Sequence, residues 1–353
     1  MHPRLISAAT SLLVAASCLT LTAPTADADT DDHGGNGPTA NACSPWTTID
    51  GFSDALDKTT FDGAVVGELS GLAVDTDGHL VTVSDKSSML TLDSRTRQPT
   101  SVLPLADEND ARLDSEAVVV DADGTRLVTS EIDSSVRRYS RNGELIGRLR
   151  AAAELQVAPA GRATRNLTFE GLALQPGGRT LIASMEGALT GDDADLRRFQ
   201  TWQRVQRSTD FRLGAQHAYR ADAGLDISDI SPADDGRLLV LERGYTPNVG
   251  NTVRLYLADP GHASDVSDIE NLTGQHAVRI VRKTLLADIG DCPSLGAAAR
   301  QPQPNPLLDN IEGVTVTGRT PDGRLRLLLV SDDNGRADQI TRLYDLTTRL
   351  PRR

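Results

Sequence analysis

The run Glu116-Ala117-Val118-Val119-Val120-Asp121-Ala122-Asp123-Gly124-Thr125-Arg126-Leu127-Val128-Thr129-Ser130-Glu131 places two β-branched stretches on either side of an Asp-Gly step. Valine and threonine suit a pleated, half-buried surface, and Asp-Gly supplies the positive φ that a tight hairpin turn needs. The run predicts a β-hairpin, and four more of the same design follow from it. Ser70 to Val74 leads through Asp77-Gly78 to Leu80 and Asp85, and Glu170 to Ala173 leads through Gly177-Gly178 to Glu186. Asp229-Ile230 leads through Asp235-Gly236 to Glu242-Arg243, and Glu312 to Val314 leads through Asp322-Gly323 to Ser331-Asp332.

Repeats starting at residues 70, 116, 170, 229 and 312 mostly have the roughly 40–60-residue period of a propeller blade. Outer strands are legible at Val136 to Tyr139, Glu144 to Leu149, Val253 to Leu257 and Val278 to Leu286. The expected fold is all-β, a β-propeller of five or six four-stranded blades, with a two-sheet sandwich as the alternative. An N-terminal strand near Trp46 to Phe52 is expected to complete the last blade after Gln339 to Tyr344. The insertion from Asp192 to Arg207 reads as a short helix or an outer strand, and Pro293 to Pro306 as a loop.

In a two-residue hairpin, facing residues have numbers that add to the sum of the turn residues. Counting from the turns sets Glu116 opposite Glu131, Asp229 opposite Glu242 and Ser70 opposite Asp85. It brings Glu170 close to Glu186 and Glu312 close to Asp332, with a bulge absorbing one residue. Like charges facing each other destabilise a sheet. Four acid pairs at one end of the hairpins therefore call for bound cations, neighbouring Arg and Lys, or shared protons. The alternative is structural: each carboxylate accepts backbone N–H groups of the next blade and locks the ring.

Composition narrows the chemistry. The 353 residues carry 36 Lys and Arg against 49 Asp and Glu, a formal charge of -13, which repels phosphate backbones. No nucleic-acid partner is expected. Aromatics make up 3% and histidines number six, so carboxylates are left to carry any chemistry. Residues 1–28 read as a signal peptide, with Leu5 to Leu21 as its apolar core and Ala26-Asp27-Ala28 before the cut. Residues 29–42 read as a disordered acidic linker and 43–353 as the propeller domain. A secreted protein is expected, or one lipid-anchored through Cys18, with no transmembrane segment and a monomeric state. In an exported chain Cys43 and Cys292 most simply pair, and two separate buried thiols are the alternative.

No Gly-x-Ser-x-Gly, His-Glu-x-x-His or Arg-His-Gly motif occurs, and His79, His217, His262 and His276 show no ligand spacing. Asp75 to Gly78 and Asp121 to Gly124 lack the further ligands of an EF-hand and read as turns. The stretches Gly67-Glu68-Leu69-Ser70-Gly71-Leu72, Phe169-Glu170-Gly171-Leu172-Ala173, Leu241-Glu242-Arg243-Gly244, Asn310-Ile311-Glu312-Gly313-Val314 and Ser331-Asp332-Asp333-Asn334 point to a family. With Val253 to Tyr256 and Lys283 to Leu286, in that order, the chain resembles the bacterial phytase-like family, named for the esterase-like activity of phytase, over roughly residues 46–346. The resemblance implies phosphoester or ester hydrolysis.

Three functions follow from these readings. The first is calcium-assisted hydrolysis of a small anionic phosphate ester. Glu116, Glu170, Asp229, Glu312, Asp332 and Asp333 would serve as metal ligands, Glu242 as the acid or base, and Arg243 and Lys86 as phosphate contacts. The second is a non-catalytic propeller that binds a ligand or protein at its mouth. The third is a lactonase-like hydrolase using a mouth-bound cation.

Overall fold

The computed structural model describes residues 40–206 and 208–352. The signal peptide, Cys18 and nearly all of the linker lie outside the described residues. Apart from two single-turn 3-10 segments, Ala153–Leu155 and Ile289–Asp291, regular structure among the described residues is β. It forms five four-stranded antiparallel sheets and one small hairpin, β2 (Thr59–Phe61) with β3 (Ala64–Val66). The fold is a five-bladed β-propeller.

Blade 1 holds β4 (Leu69–Val74), β5 (Leu80–Ser84), β6 (Ser88–Leu92) and β7 (Pro99–Pro104). Blade 2 holds β8 (Val118–Val120), β9 (Arg126–Ser130), β10 (Ser135–Tyr139) and β11 (Leu145–Arg150). Blade 3 holds β12 (Phe169–Leu174), β13 (Thr180–Met185), β14 (Leu196–Arg204) and β15 (Phe211–Arg220). Its third strand settles the Asp192 to Arg207 insertion as a strand. Blade 4 holds β16 (Asp226–Pro232), β17 (Leu238–Thr246), β18 (Gly250–Asp259) and β19 (Arg282–Asp288). Blade 5 holds β20 (Asn310–Arg319), β21 (Leu325–Asp332) and β22 (Leu343–Thr348), and its outer strand is β1 (Thr47–Ser53).

The ring thus closes as expected, with Thr47 paired to Thr348 and Ser53 to Leu343. The last strand falls a few residues later than the Gln339 to Tyr344 expectation. Cys43 and Cys292 form a disulfide across 249 residues, which fastens the segment before β1 to the loop after blade 4.

The core is divided among the five blade interfaces. In β17, Leu238 and Val240 pack with Ile182 and Phe199 of blade 3, while Leu239 and Leu241 pack with Val314 and Leu327 of blade 5. A sheet covered on both faces needs apolar residues at successive positions, which explains the unbroken Leu-Leu-Val-Leu run. The inner strands approach so closely that a Cβ on Gly71 would lie 2.6 Å from the Glu116 carbonyl oxygen, and one on Gly313 2.5 Å from that of Ser70.

The hairpin turns differ from the two-residue expectation. Asp75 N–H donates to the His79 carbonyl and Gly78 N–H to that of Asp75, and blades 2, 4 and 5 repeat the pattern. These are three-residue loops whose glycine, such as Gly78 at φ +88°, takes the left-handed position. In blade 3 the Gln175 N–H reaches the Thr180 carbonyl, so that loop holds one residue more. The three-residue loops move the ladder by one residue, so that Val118 pairs with Val128 and Val74 with Leu80. A second shift follows at the other end of four inner strands, where pairing skips Ser70, Glu170, Ser228 and Glu312.

Candidate metal and phosphate site at the channel mouth

These skipped residues are β-bulges, and a bulge re-aims its side chain out of the ladder. Beside each stands a residue at the end of the second strand. Ser70 Oγ donates to Asp85 Oδ1 at 2.5 Å. The carboxylates of Glu116 and Glu131 meet although Glu116 precedes the ladder. Glu170 meets Glu186, and Glu312 meets Asp332.

Blade 4 corrects the expectation. Its bulge falls at Ser228, so Asp229 pairs with Leu241 and Glu242 with Ile227, and Arg243 occupies the place that acids hold in the other blades. Asp229 stands where blades 1, 3 and 5 carry Gly71, Gly171 and Gly313. Its carboxylate accepts N–H groups of Ile230 and of Val314 in blade 5, each at 2.8 Å. It also accepts the N–H of Leu172 in blade 3. Asp229 therefore locks three blades together and holds no place at the mouth.

One cavity of about 460 Å³ gathers the end of the channel. Blade 1 lines it with Asp85, blade 2 with Glu131 and the preceding Asp114 and Glu116, blade 3 with Glu170 and Glu186, and blade 5 with Glu312 and Asp332. Blade 4 lines it with Arg243, Tyr245 and Asn251. Three carboxylate sets, each with ligand oxygens within 4.8 Å of one another, are Asp85 with Glu312 and Asp332, Asp114 with Glu116 and Glu131, and Glu131 with Glu170 and Glu186. Arg243 lies 3.0 Å from Glu312 and 3.7 Å from Glu186.

Five of the nine expected site residues meet here: Glu116, Glu170, Arg243, Glu312 and Asp332. The other four do not line the cavity. Glu242 is fully buried between blades 3 and 4, where its carboxylate accepts the Tyr219 hydroxyl and the Lys283 ammonium, each at 2.5 Å, and the Asp222 N–H at 2.8 Å. Asp333 binds Lys58 and accepts the Glu68 N–H at 2.9 Å, tying blade 5 to the segment before β4. Lys86 is exposed and pairs with Glu68 at 3.1 Å. Sequence reasoning missed Asp114 as a lining residue of the mouth because it precedes the strand in a left-handed loop position, φ +52°, outside any ladder count.

A family profile described as phytase-like, esterase-like activity of phytase, matches residues 64–335, from the start of β3 to just beyond β21. The chain belongs to the phytase-like family. A search among curated proteins finds no match. Similar solved structures include the β-propeller domain of Cps50 (Swd1) from Myceliophteria thermophila, at 13% identity and TM-score 0.39, covering 80% of this chain and 84% of that one. XC5397 from Xanthomonas campestris, a gluconolactonase, shows 14% identity and TM-score 0.41, with 82% and 74% covered. A catalytically inactive virginiamycin B lyase from Staphylococcus aureus shows 9% identity and TM-score 0.37, with 82% and 69% covered.

The mouth of this phytase-like propeller is electrostatically loaded. Burial first, and neighbouring carboxylates second, push Asp85 up to about 7 and Glu131 up to about 8. Burial raises Glu186 to about 7 against the pull of Arg243. Glu116, Glu170 and Asp332 are also pushed well up by burial and by their acidic neighbours. Besides Arg243 Nε and Gln339 Oε1, two buried polar atoms of the described cavity-lining residues have no hydrogen-bond partner, Glu131 Oε1 and Asn251 Nδ2. The first is an acceptor that suits a cation. The second is a donor that suits an anionic oxygen.

Proposed function

We propose that the mouth hydrolyses phosphate esters with the help of bound divalent cations, calcium first. The observation that carries this reading is a cavity with carboxylate sets on four blades and the donors Arg243 and Asn251 on the remaining one. Oxygen-only, acceptor-only clusters fit a hard cation, and the donorless Glu131 Oε1 fits one better than water-free burial does. Glu116, Glu170, Glu312 and Asp332 would hold such ions together with Asp85, Asp114, Glu131 and Glu186. When bound, the ions supply charge neutralisation for phosphate and a lowered pKa for water.

The chain's own residues then have separate tasks. Arg243 is placed to grip a phosphoryl oxygen, since a guanidinium presents donors in a fixed fork. Asn251 Nδ2 adds a neutral donor on the same blade. Glu186, 3.7 Å from Arg243, joins the ion-holding acids to the phosphate grip. The Cys43–Cys292 bond supports a location outside the reducing cytosol.

The test is turnover of a generic phosphomonoester and of phytate with Ca²⁺ and with chelator. Turnover is expected only with cation, and Glu186→Gln, which removes one of the ion-holding carboxylates, should lower both turnover and bound metal. Equal background turnover under all conditions would remove the reading.

A further inference from the structure

The cation reading of the mouth leaves open how many ions share it, and Glu131 decides that count. This inference rests on that reading and deepens it. Glu131 belongs to two of the three carboxylate sets, one with Asp114 and Glu116 and the other with Glu170 and Glu186. Oxygens that bind one hard ion at about 2.3–2.6 Å lie no more than about 5 Å apart. Both sets meet that spacing, with oxygens within 4.8 Å of one another.

Glu131 is 3% exposed, and its Oε1 receives no hydrogen bond. Asp85 and Glu312 have side-chain donors, Ser70 for the first and Asn310 and Arg243 for the second, whereas the Glu131 carboxylate takes a single backbone N–H, from Thr168. A buried carboxylate oxygen without donor or counter-charge is strongly disfavoured, and Glu131 has acids on both sides. Five carboxylates on blades 2 and 3 exceed the charge of two divalent ions by one, and Arg243, 3.7 Å from Glu186 and 3.0 Å from Glu312, is shared with the blade 5 acid. A single ion would leave the remaining acids to be neutralised by protons. The remaining set, Asp85 with Glu312 and Asp332, shares no residue with these two.

We propose that Glu131 bridges two hard divalent cations, one held with Asp114 and Glu116 and the other with Glu170 and Glu186. The bridge makes blades 2 and 3 a dinuclear centre and leaves the blade 1 and blade 5 acids as a separate site.

Mn²⁺ is the probe, added to the full chain after chelation and dialysis, with bound metal counted and electron paramagnetic resonance recorded. The wild-type protein is expected to bind at least two Mn²⁺ and to show an exchange-coupled spectrum. Glu131→Gln should abolish the coupling and lower the bound metal, while Glu312→Gln should keep the coupling. Isolated Mn²⁺ signals at full loading of the wild type, or no more than one ion per chain, would overturn the bridge. The wild-type spectrum decides by itself, so a variant that fails to fold does not shield the idea. A chain that couples two ions yet hydrolyses no phosphate ester keeps the bridge and loses the proposed activity; hydrolysis with one uncoupled ion does the reverse.

Discussion

At the scale of single residues, blade 4 departs from its neighbours at the glycine of the inner strand, where Asp229 stands, and at the acid of the second strand, where Arg243 stands. Asp229 orders three backbone donors from blades 3, 4 and 5. Asp229→Ala should therefore destabilise by about 1–3 kcal/mol for each donor left unpaired, read from chemical denaturation, with metal content unchanged. Arg243→Lys keeps the charge and loses the fork. It should raise KM for a phosphate ester roughly tenfold or more, the loss of one charge-assisted hydrogen bond, while metal content stays the same. Glu116, Glu170 and Glu312 are legible in the sequence because an Asp-Gly or Gly-Gly turn anchors a count back to each. Asp229 and Glu242 mislead that count because one lies directly after the blade 4 bulge and the other directly before Arg243. Their facing number sum is the same as that of Ser228 and Arg243, so arithmetic alone does not tell the pairs apart.

At the scale of elements, the bulge and the three-residue turn set the site together. Each shifts the ladder by one residue, and the bulge releases the mouth residue from its pleat. Gly313 follows the blade 5 bulge, and a Cβ placed there would stand 2.5 Å from the Ser70 carbonyl oxygen. Gly313→Ala should cost about 1–3 kcal/mol through overpacking, seen as a lower denaturation midpoint, and should disturb the Asp85, Glu312 and Asp332 set more than the other two. The five hairpins are legible because apolar strands flank their turns. Blade number is not, since β1 comes from the far end of the chain and the intervals between repeats are uneven. Neither bulges nor loop class leave a mark in composition, which is why the acid pairs can be read while the ladder count misses by a residue.

At the scale of the molecule, the focused acids make stability depend on pH and on cations. Asp85, Glu131 and Glu186 have folded values of about 7, 8 and 7, above the ordinary carboxylate range. The folded state then binds more protons than the unfolded chain between about pH 4 and 8, so stability falls as pH rises through that window. Asp222 works in the other direction: Lys283, Tyr256 and Arg254 hold it at about 2, and its contribution is lost as pH falls below the ordinary carboxylate range. Tm of the chelated protein should decline from pH 5 to pH 8, and the rise in Tm on adding Ca²⁺ should be larger at pH 8 than at pH 5. A flat chelated profile with no cation effect would show that the mouth acids keep their protons throughout. The net charge of -13 thus acts through one cavity as well as over the surface.

Ring closure by β1 also imposes an order of assembly. Blades 2 and 3 are built from neighbouring stretches, residues 118–150 and 169–220, so their acids can gather as soon as those stretches have folded. Asp85 meets Glu312 and Asp332 only when the two ends of the chain have come together across some 250 residues, the slow, long-range step of a propeller. The two halves of the mouth are therefore completed at different moments, the first during the growth of the ring and the second only when it shuts.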